Sequence, residues 1–519
     1  MYGTLCAPHG VRMKTRRRAR RGIESRALMD DRIAPYVTNL DRDVFALRNL
    51  PEEVVAVLFA YYSRSRDDLR TNLRRLLDDR ELALLDGPAP ALPSLAAAQE
   101  KARAFHERWV VGYGHASVAE HAVVHLAVER CSIVAAKALE ESRLAAYTEK
   151  STRYVRFDPD TLVTDLGLPR GAAASYERSA RALLARYAAL ADRVEALLLA
   201  RHPAPDGANP KAHANALRAH ACDLLRGLLP AGVPTNVGMT LNARALESHV
   251  GRLLGSPLAE VRRIGEALRV EGAAIVPTLL KYTAPRPHRD GALERVAPHL
   301  GRAPATTSSG TLVRRVGCSE APLRTLAAAI RAELVGDAWD AAWEGARDEE
   351  RARALVDAYL AERGPHDQPL RALEHVTVRF EVCCDYGAWR DLQRHRMASA
   401  TTPRLGCTEG WWLSPELDDL GVMGDCREAL EAAAEAHAAL VFDHPWEAQY
   451  AVPLAYRVRY VLQANLREMF HLVELRSARQ GHESYRRVAW QLADGLVEVM
   501  PWLEPHLRVD RAWYPWARH

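Results

Sequence analysis

The strongest constraint on this chain is that it repeats itself. Glu120-His121-Ala122-Val123-Val124-His125-Leu126 is echoed by Glu374-His375-Val376-Thr377-Val378-Arg379-Phe380. The alternation after each Glu-His predicts a strand. An apolar-rich helical segment follows in both places. Arg143 ends it 22 residues after His121, and Arg394-His395-Arg396 ends it with Arg396 lying 21 after His375. Further on, Pro230 precedes Asn242 by 12 residues, and Pro453 precedes Asn465 by 12. Each asparagine opens an N-x-R triplet, Asn242-Ala243-Arg244 and Asn465-Leu466-Arg467. A second arginine follows each triplet, Arg252 and Arg476. Four landmarks in one order at near-equal spacing imply a duplicated unit. The patterning predicts α+β units in tandem, helix-rich, each with a small and mostly antiparallel sheet.

At 519 residues the chain exceeds what one ordinary core holds. The expected layout has four parts. Residues 1–28, with Arg16-Arg17-Arg18-Ala19-Arg20-Arg21, form a basic disordered tail, and Met29 is an alternative start. Residues 29–284 form the first unit, 285–310 a Pro-, Arg- and Gly-rich linker, and 311–519 the second unit. Between Arg143 and Pro230 the first unit is longer than the second by about thirty residues, an inserted helical piece near 157–220. Helices are expected from Ala96 to Arg108, Gly171 to Leu199, Lys211 to Leu229 and Leu323 to Glu344, and a strand over Thr311 to Val316.

Composition narrows the class. A net charge of +4 is small for the length, so a broad duplex-binding surface is not called for, while a local phosphate pocket is compatible. No apolar run approaches the roughly 20 residues that span a bilayer. Eight cysteines form no CxxC pair, and Cys383-Cys384 sits in an apolar stretch. That usage fits free thiols in a reducing, cytoplasmic setting and no metal site.

Several polar sets stand out, each with an ordinary structural explanation beside it. In an extended loop Glu149, Ser151 and Arg153 would point to one side, offering an acceptor, a hydroxyl and a guanidinium fork suited to a ribose and phosphate. By themselves they read more simply as a solvated charged strand. Arg394, His395 and Arg396 make a cationic cluster able to hold pyrophosphate or the polar edge of a flavin, or merely a basic surface turn. Arg467, His471 and Glu474 share a helix face among apolar neighbours, as Arg244, Ser248 and Arg252 do in the first copy. Either an internal ion-pair network or a ligand would satisfy such a stripe. Arg226, set among leucines before Pro230, is either paired or snorkelling.

In this order the pieces resemble the flavin-dependent thymidylate synthases, whose signature is RHRxxSxNExSxRY. The second copy keeps the opening, Arg394-His395-Arg396-Met397-Ala398-Ser399, then departs with Thr401, Thr402 and Arg404. The first copy keeps the close, Glu149, Ser151, Arg153 and Tyr154, but has Glu141-Ser142-Arg143 for RHR. The resemblance spans roughly residues 113–262 and 372–486. It implies two synthase-like α+β units in tandem and a reductive methylation of dUMP to dTMP. FAD would be the cofactor, with NADPH and methylenetetrahydrofolate as co-substrates. It further implies that Glu149, Ser151, Arg153 and Arg226 hold dUMP, Gln449 replacing Arg226 in the second copy. Arg252 and Arg476 would ionise the pyrimidine. FAD would be held by Arg394, His395, Arg396 and Ser399, with His121, His375, Asn242, Arg244, Asn465, Arg467 and His471. Family members are homotetramers with sites between subunits, so the fused chain is expected to dimerise and offer one composite site per chain. Its partners would be small nucleotide and folate molecules, with neither nucleic acid nor membrane. The alternative is a silent or repurposed paralogue that binds flavin or a nucleotide.

Overall fold

The computed structural model describes residues 31–62, 67–78, 100, 102–104, 116–300 and 312–514. The basic tail, most of the Ala96–Arg108 segment and the end of the linker lie outside these. Contacts divide the chain into two compact units, one of Met1–Leu126, Thr240–Val250 and Ala267–Thr283, the other of Ala127–Met239, Gly251–Glu266 and Ala284–His519.

In the first unit, helices Glu52–Tyr62 and Leu69–Asp78 pack a core of Ile33, Val54, Leu58 and Leu73. The buried Glu53 carboxylate accepts from the Thr278 amide at 2.9 Å and its hydroxyl at 2.6 Å, which satisfies a charge that burial would otherwise penalise.

Two antiparallel systems carry the duplication. In the first copy, β1 (Val123–Ser132), β2 (Ala145–Glu149) and β3 (Pro234–Asn242) are ordered β1-β3-β2. In the second, β4 (Val313–Cys318), β5 (Thr377–Asp385), β6 (Ser399–Thr401) and β7 (Arg457–Asn465) are ordered β4-β5-β7-β6. The central β5–β7 pair runs in unbroken register from Thr377 opposite Asn465 to Asp385 opposite Arg457. Its buried alternate residues, Val378, Phe380 and Val382, follow from the period-two pattern.

The copies match bond for bond. Each first core strand ends in a residue that caps the next helix. Ser132 accepts from the Ala135 amide at 2.9 Å, and Asp385 from the Ala388 amide at 2.8 Å. Each cap is clamped by a later helix with donor and acceptor exchanged: the Ser132 hydroxyl donates to Glu260 at 2.6 Å, whereas the Ser484 hydroxyl donates to Asp385. The landmark prolines Pro230 and Pro453 form an antiparallel bridge. On either side of it the Ala231 amide donates to Val452 O at 2.8 Å and the Leu454 amide to Leu229 O at 2.9 Å. That reciprocity is the signature of a local twofold relation between the copies.

Some details differ from the sequence reading. The helix expected from Leu323 to Glu344 is two helices, Pro322–Leu334 and Trp339–Gly345, because Gly336 takes φ +78° between them. The helix expected to reach Leu229 ends at Leu225 and tightens into a 3-10 turn, Arg226–Leu228, ahead of Pro230. Short helices, Pro287–Asp290 and Ala292–Val296, occupy part of the segment read as linker. The inserted piece contains helix Arg170–Arg201, which lies along helix Met423–Val441 of the second copy. Arg193 pairs there with Asp425 at 2.8 Å.

Candidate functional site

Four chain segments deliver charged side chains to one place in the second unit. Strand β2 ends at Glu149, and the turn after it carries Ser151 and Arg153. Helix Pro210–Leu225 contributes Asp223, and Arg226 follows at its end. Helix Tyr386–Leu392, held in place by the Asp385 cap, contributes Arg390 and Asp391, and the turn after it carries Arg394, His395 and Arg396. Helix Leu466–Ser477 contributes Glu468, His471 and Arg476.

Arg153 grips Asp223 with two parallel bonds, Nε to Oδ1 at 2.9 Å and Nη2 to Oδ2 at 3.1 Å. It also donates to the Tyr485 hydroxyl at 3.1 Å. The Tyr485 ring lies under both the Arg153 and Arg476 guanidinium groups, at 5.7 and 5.6 Å. Arg226, 3% exposed, donates through Nη1 to Asp391 at 3.2 Å, and its buried Nη2 has no hydrogen-bond partner among the described residues. Burial works to raise the Asp391 carboxyl. Arg226, then Arg153, Arg394 and Arg476, overcome it and hold the group well below the usual carboxylate range. Guanidinium groups from both copies therefore converge on one partly buried carboxylate. Beside it, Glu149 is ion-paired with Arg390, and Arg394 stands 3.8 Å from the same carboxylate.

His395 is buried, and its two ring nitrogens are both engaged. Nδ1 faces Glu468 at 3.0 Å, and Arg476 Nε donates to Nε2 at 2.9 Å. An acceptor Nε2 requires the proton on Nδ1, which then donates to Glu468. Burial lowers the imidazole pKa to about 4. Burial also works to raise Glu468, but the hydrogen bond from His395 and the nearby His471 imidazole draw it down to about 2. The ligand atoms of His395, Glu468 and His471 lie within 4.8 Å of one another. They do not suit a divalent cation, because a metal on Nδ1 would leave His395 with no N–H while Nε2 still accepts from a guanidinium.

This arrangement fixes a pH dependence. The folded His395 pKa lies below its unfolded value of 6.5, so the unfolded chain binds the extra proton. Stability is therefore complete above about pH 6.5 and falls as the pH drops toward 4, by about 3 kcal/mol from this group alone. Urea unfolding followed between pH 7 and 4 is expected to lose most of that slope in His395→Gln. An unchanged slope would mean that His395 titrates normally.

The structure brings together Glu149, Arg153, Arg226, Arg394, His395 and Arg476, with Ser151 accepting from the Arg153 amide at 3.1 Å. His471 joins through Glu468, at 3.9 Å. Other residues named from the resemblance are engaged elsewhere. Asn465 caps its helix by accepting from the Glu468 amide at 2.9 Å. Arg467 pairs with Glu374 at 3.0 Å, and His375 stacks on Trp339 at 5.9 Å. In the first unit, Asn242 caps its helix through the Ala245 amide at 2.8 Å, Arg244 pairs with Glu120, and His121 stacks on Phe59 at 4.7 Å. Arg244 and Arg467, one from each helix stripe, are thus spent on internal ion pairs. Glu474, in the second stripe, pairs with Arg363.

Asp391, Asp223, Arg390, Glu468 and Tyr485 were not singled out from the sequence. The signal available was indirect: an arginine on an apolar helix demands a carboxylate, but spacing does not say which.

Arg252, Arg396 and Ser399 face an adjoining cavity of about 460 Å³ in the same unit, together with His395, Lys137, Arg143 and Trp389. Here the copies again exchange equivalent bonds. Arg143 Nη2 donates to Ser399 Oγ at 3.0 Å and to Ala398 O at 3.4 Å. Arg396 donates to Arg143 O at 3.4 Å and to Ala145 O. In each motif the third-position arginine reaches the carbonyl two residues beyond its counterpart.

Residues 62–278 and 316–502 each match the Thy1 family, described as thymidylate synthase complementing protein. The chain belongs to that family and carries its domain twice. A UPF0159 protein of Chlamydia muridarum is 33% identical over 496 residues, 91% of this chain and 92% of that one. A flavin-dependent thymidylate synthase of Saccharolobus solfataricus is 28% identical over 183 residues, 34% of this chain and 62% of that one. Among solved structures, the flavin-dependent thymidylate synthase of Helicobacter pylori, complexed with FAD and dUMP, aligns with a TM-score of 0.29 and 19% identity. The alignment covers 38% of this chain and 98% of that one. No helix among the described residues is long and apolar enough to cross a membrane.

Proposed function

We propose that the chain is an FAD-dependent thymidylate synthase, converting dUMP to dTMP with methylenetetrahydrofolate and NADPH at one composite site per chain. One observation carries this reading. Arg153 and Arg226 from the first copy, and Arg394 and Arg476 from the second, all act on the partly buried Asp391 carboxylate. The copies retain complementary parts of one signature, and the fold sets those parts side by side.

The residues present fit an anionic, acceptor-rich ligand. Arg226 has a buried donor without a partner, and Arg394, half exposed, has only a 3.8 Å contact with Glu149 among its described ion pairs. Glu149, Ser151, Arg153 and Arg226 would bind the nucleotide. Arg394 and His395 would hold FAD, which when bound supplies the reducing equivalents drawn from NADPH. Arg226 and Arg476, in a site largely shut off from water, would stabilise negative charge developing on the pyrimidine oxygen and N3. Preorganised donors in a dry site are worth far more than the same donors in water. Tyr485 positions Arg153 and Arg476, and neutral His395 positions Arg476 without adding charge. No side chain need act as a nucleophile, since positioning and electrostatics are the protein's contribution.

The decisive experiment is flavin stoichiometry with turnover. Purified protein is expected to bind one FAD per chain, to be bleached by NADPH, and to form dTMP from dUMP only with methylenetetrahydrofolate. Two FAD per chain would refute the single composite site. Protein that takes up no FAD would refute the synthase reading.

A further inference from the structure

The local twofold relation places a counterpart of the composite site on the other side of the paired motif turns. The cavity of about 460 Å³ sits there. Arg143 occupies the position of Arg396, whereas Arg252, 10 residues after Asn242, stands one helix position short of the place that Arg476 takes 11 residues after Asn465. Lys137 corresponds to Arg390, and Glu141 to Arg394. The nucleotide-binding set is gone: Thr402 stands where Glu149 would be, Arg404 where Ser151 would be, and Gln449 where Arg226 would be. Gln449 is itself spent on the backbone, accepting from the Leu405 amide and donating to Trp446 O, both at 3.0 Å. The cavity is therefore not a second copy of the same site.

Its charges are arranged differently. Lys137, Arg143, Arg252 and Arg396 present four cations to one space, against two carboxyl groups, Glu140 and Glu141. Glu141 is paired with Arg252. Burial, and then the nearby Glu149 carboxylate, raise the Glu140 carboxyl above its ordinary range, so it is partly neutral near pH 7. The bonds described for Arg143 and Arg396 are to neutral oxygens, so their charges are not balanced by them. Lys137 lies over the Trp389 ring at 4.8 Å. The Trp389 indole N–H, buried in the wall, has no hydrogen-bond partner among the described residues. A cavity with a cationic surplus, an aromatic wall and an unmet donor is built for an anion that carries a ring.

We infer that this cavity is a second ligand site, taking a phosphorylated small molecule of about mononucleotide size. The inference goes beyond the single composite site proposed above and does not need FAD there. The sites share one turn. Arg394 faces Glu149 on one side, Arg396 lines the cavity on the other, and His395, bonded to Arg476 on the first side, also lines the cavity.

Pyridoxal 5′-phosphate is a direct probe, since it combines phosphate, ring and aldehyde. The Lys137 amine would add to the aldehyde carbon with loss of water, and borohydride would deliver hydride to the resulting imine carbon, fixing the label. Burial lowers Lys137 to about 8, so its amine is available at mildly alkaline pH. In the full-length protein, peptide mapping is expected to show Lys137 labelled at least about tenfold faster than the median of the other five lysines. Inorganic phosphate should protect it. Arg143→Gln should slow the labelling about tenfold with thermal unfolding unchanged. Labelling of Lys137 at the rate of the other lysines, or labelling that phosphate does not slow, would overturn the inference. Lys137→Met should leave FAD content and dTMP formation as they are, so failure here and failure of the synthase reading are read by separate measurements.

Discussion

Asp391→Ala is expected to destabilise the second unit by about 3–5 kcal/mol, the range seen when one partner of a buried ion pair is removed. Asp391 is partly buried, and the groups that hold its charge are Arg226, Arg153, Arg394 and Arg476. Removing the carboxylate takes from Arg226, 3% exposed, its one described ion pair, and leaves Asp385, already bonded to Ser484 and the Ala388 amide, as the carboxyl group that feels its charge. Arg226 itself is buried, so much of the desolvation cost of a cation stays in the folded state. Urea unfolding at pH 7 is the measurement, followed by a probe in the second unit such as Trp389. Adding Arg226→Met to Asp391→Ala should restore part of the loss, because an apolar side chain then replaces the stranded charge. The sign with pH is determinate too. The Asp391 pKa is depressed on folding, so its contribution is complete above about pH 4, the ordinary carboxyl value, and fades only under stronger acid. Acid loss between pH 6.5 and 4 therefore belongs to the buried histidines, His395 and His482 first and His437 after them, whose imidazoles burial holds below their ordinary value. An Asp391→Ala protein as stable as its parent would show that the four arginines are solvated after all.

Arg226→Met is expected to lower kcat/KM for dTMP formation by about 10²–10³, the usual effect of removing one preorganised donor from a shielded site. The side chain is apolar, of similar length and fits the buried path, and Asp391 keeps three guanidinium groups facing it. Gly387→Ala is the companion variant, since it alters no charge. A Cβ at Gly387 would lie 3.2 and 3.3 Å from Arg226 Nε and Nη2 and 3.0 Å from Asp385 Oδ2. Neither neighbour has open space to retreat into, because both are buried and Asp385 is held by Ser484 and the Ala388 amide. Displaced by a few tenths of an ångström, Arg226 should lose aim rather than charge. The expected result is a fall of about tenfold in kcat/KM with FAD content intact. Full activity in both variants would remove Arg226 from the site.

Much of this was legible before any coordinates. The duplication follows from spacing alone, because equal intervals between landmarks survive divergence of the residues between them. The β5 strand is a local feature, set by the nearest few residues. The caps at Asn242 and Asn465 are local too, but the N-x-R triplets were read as repeat landmarks and, through the resemblance, as flavin contacts, and the caps emerged only from the structure. Gly336 was local as well, yet a single glycine in an apolar helical pattern does not announce that it will take a positive φ. Composition and periodicity could say that Arg226, Arg244 and Arg467 needed partners. They could not say that Arg244 and Arg467 would be consumed by Glu120 and Glu374 while Arg226 would keep a donor unspent.

What the sequence by itself determined is that one unit occurs twice, and that each copy keeps the part of the signature the other lost. Only the tertiary structure decided that these parts meet around Asp391, and that Arg394 and Arg396, two residues apart, serve opposite sides of one turn. The physical reason is the range of the forces. Backbone pattern and helix caps act between near neighbours and can be read along the chain. A buried charge accepts whichever countercharge the fold brings within about 4 Å, and that distance bears no relation to separation in sequence.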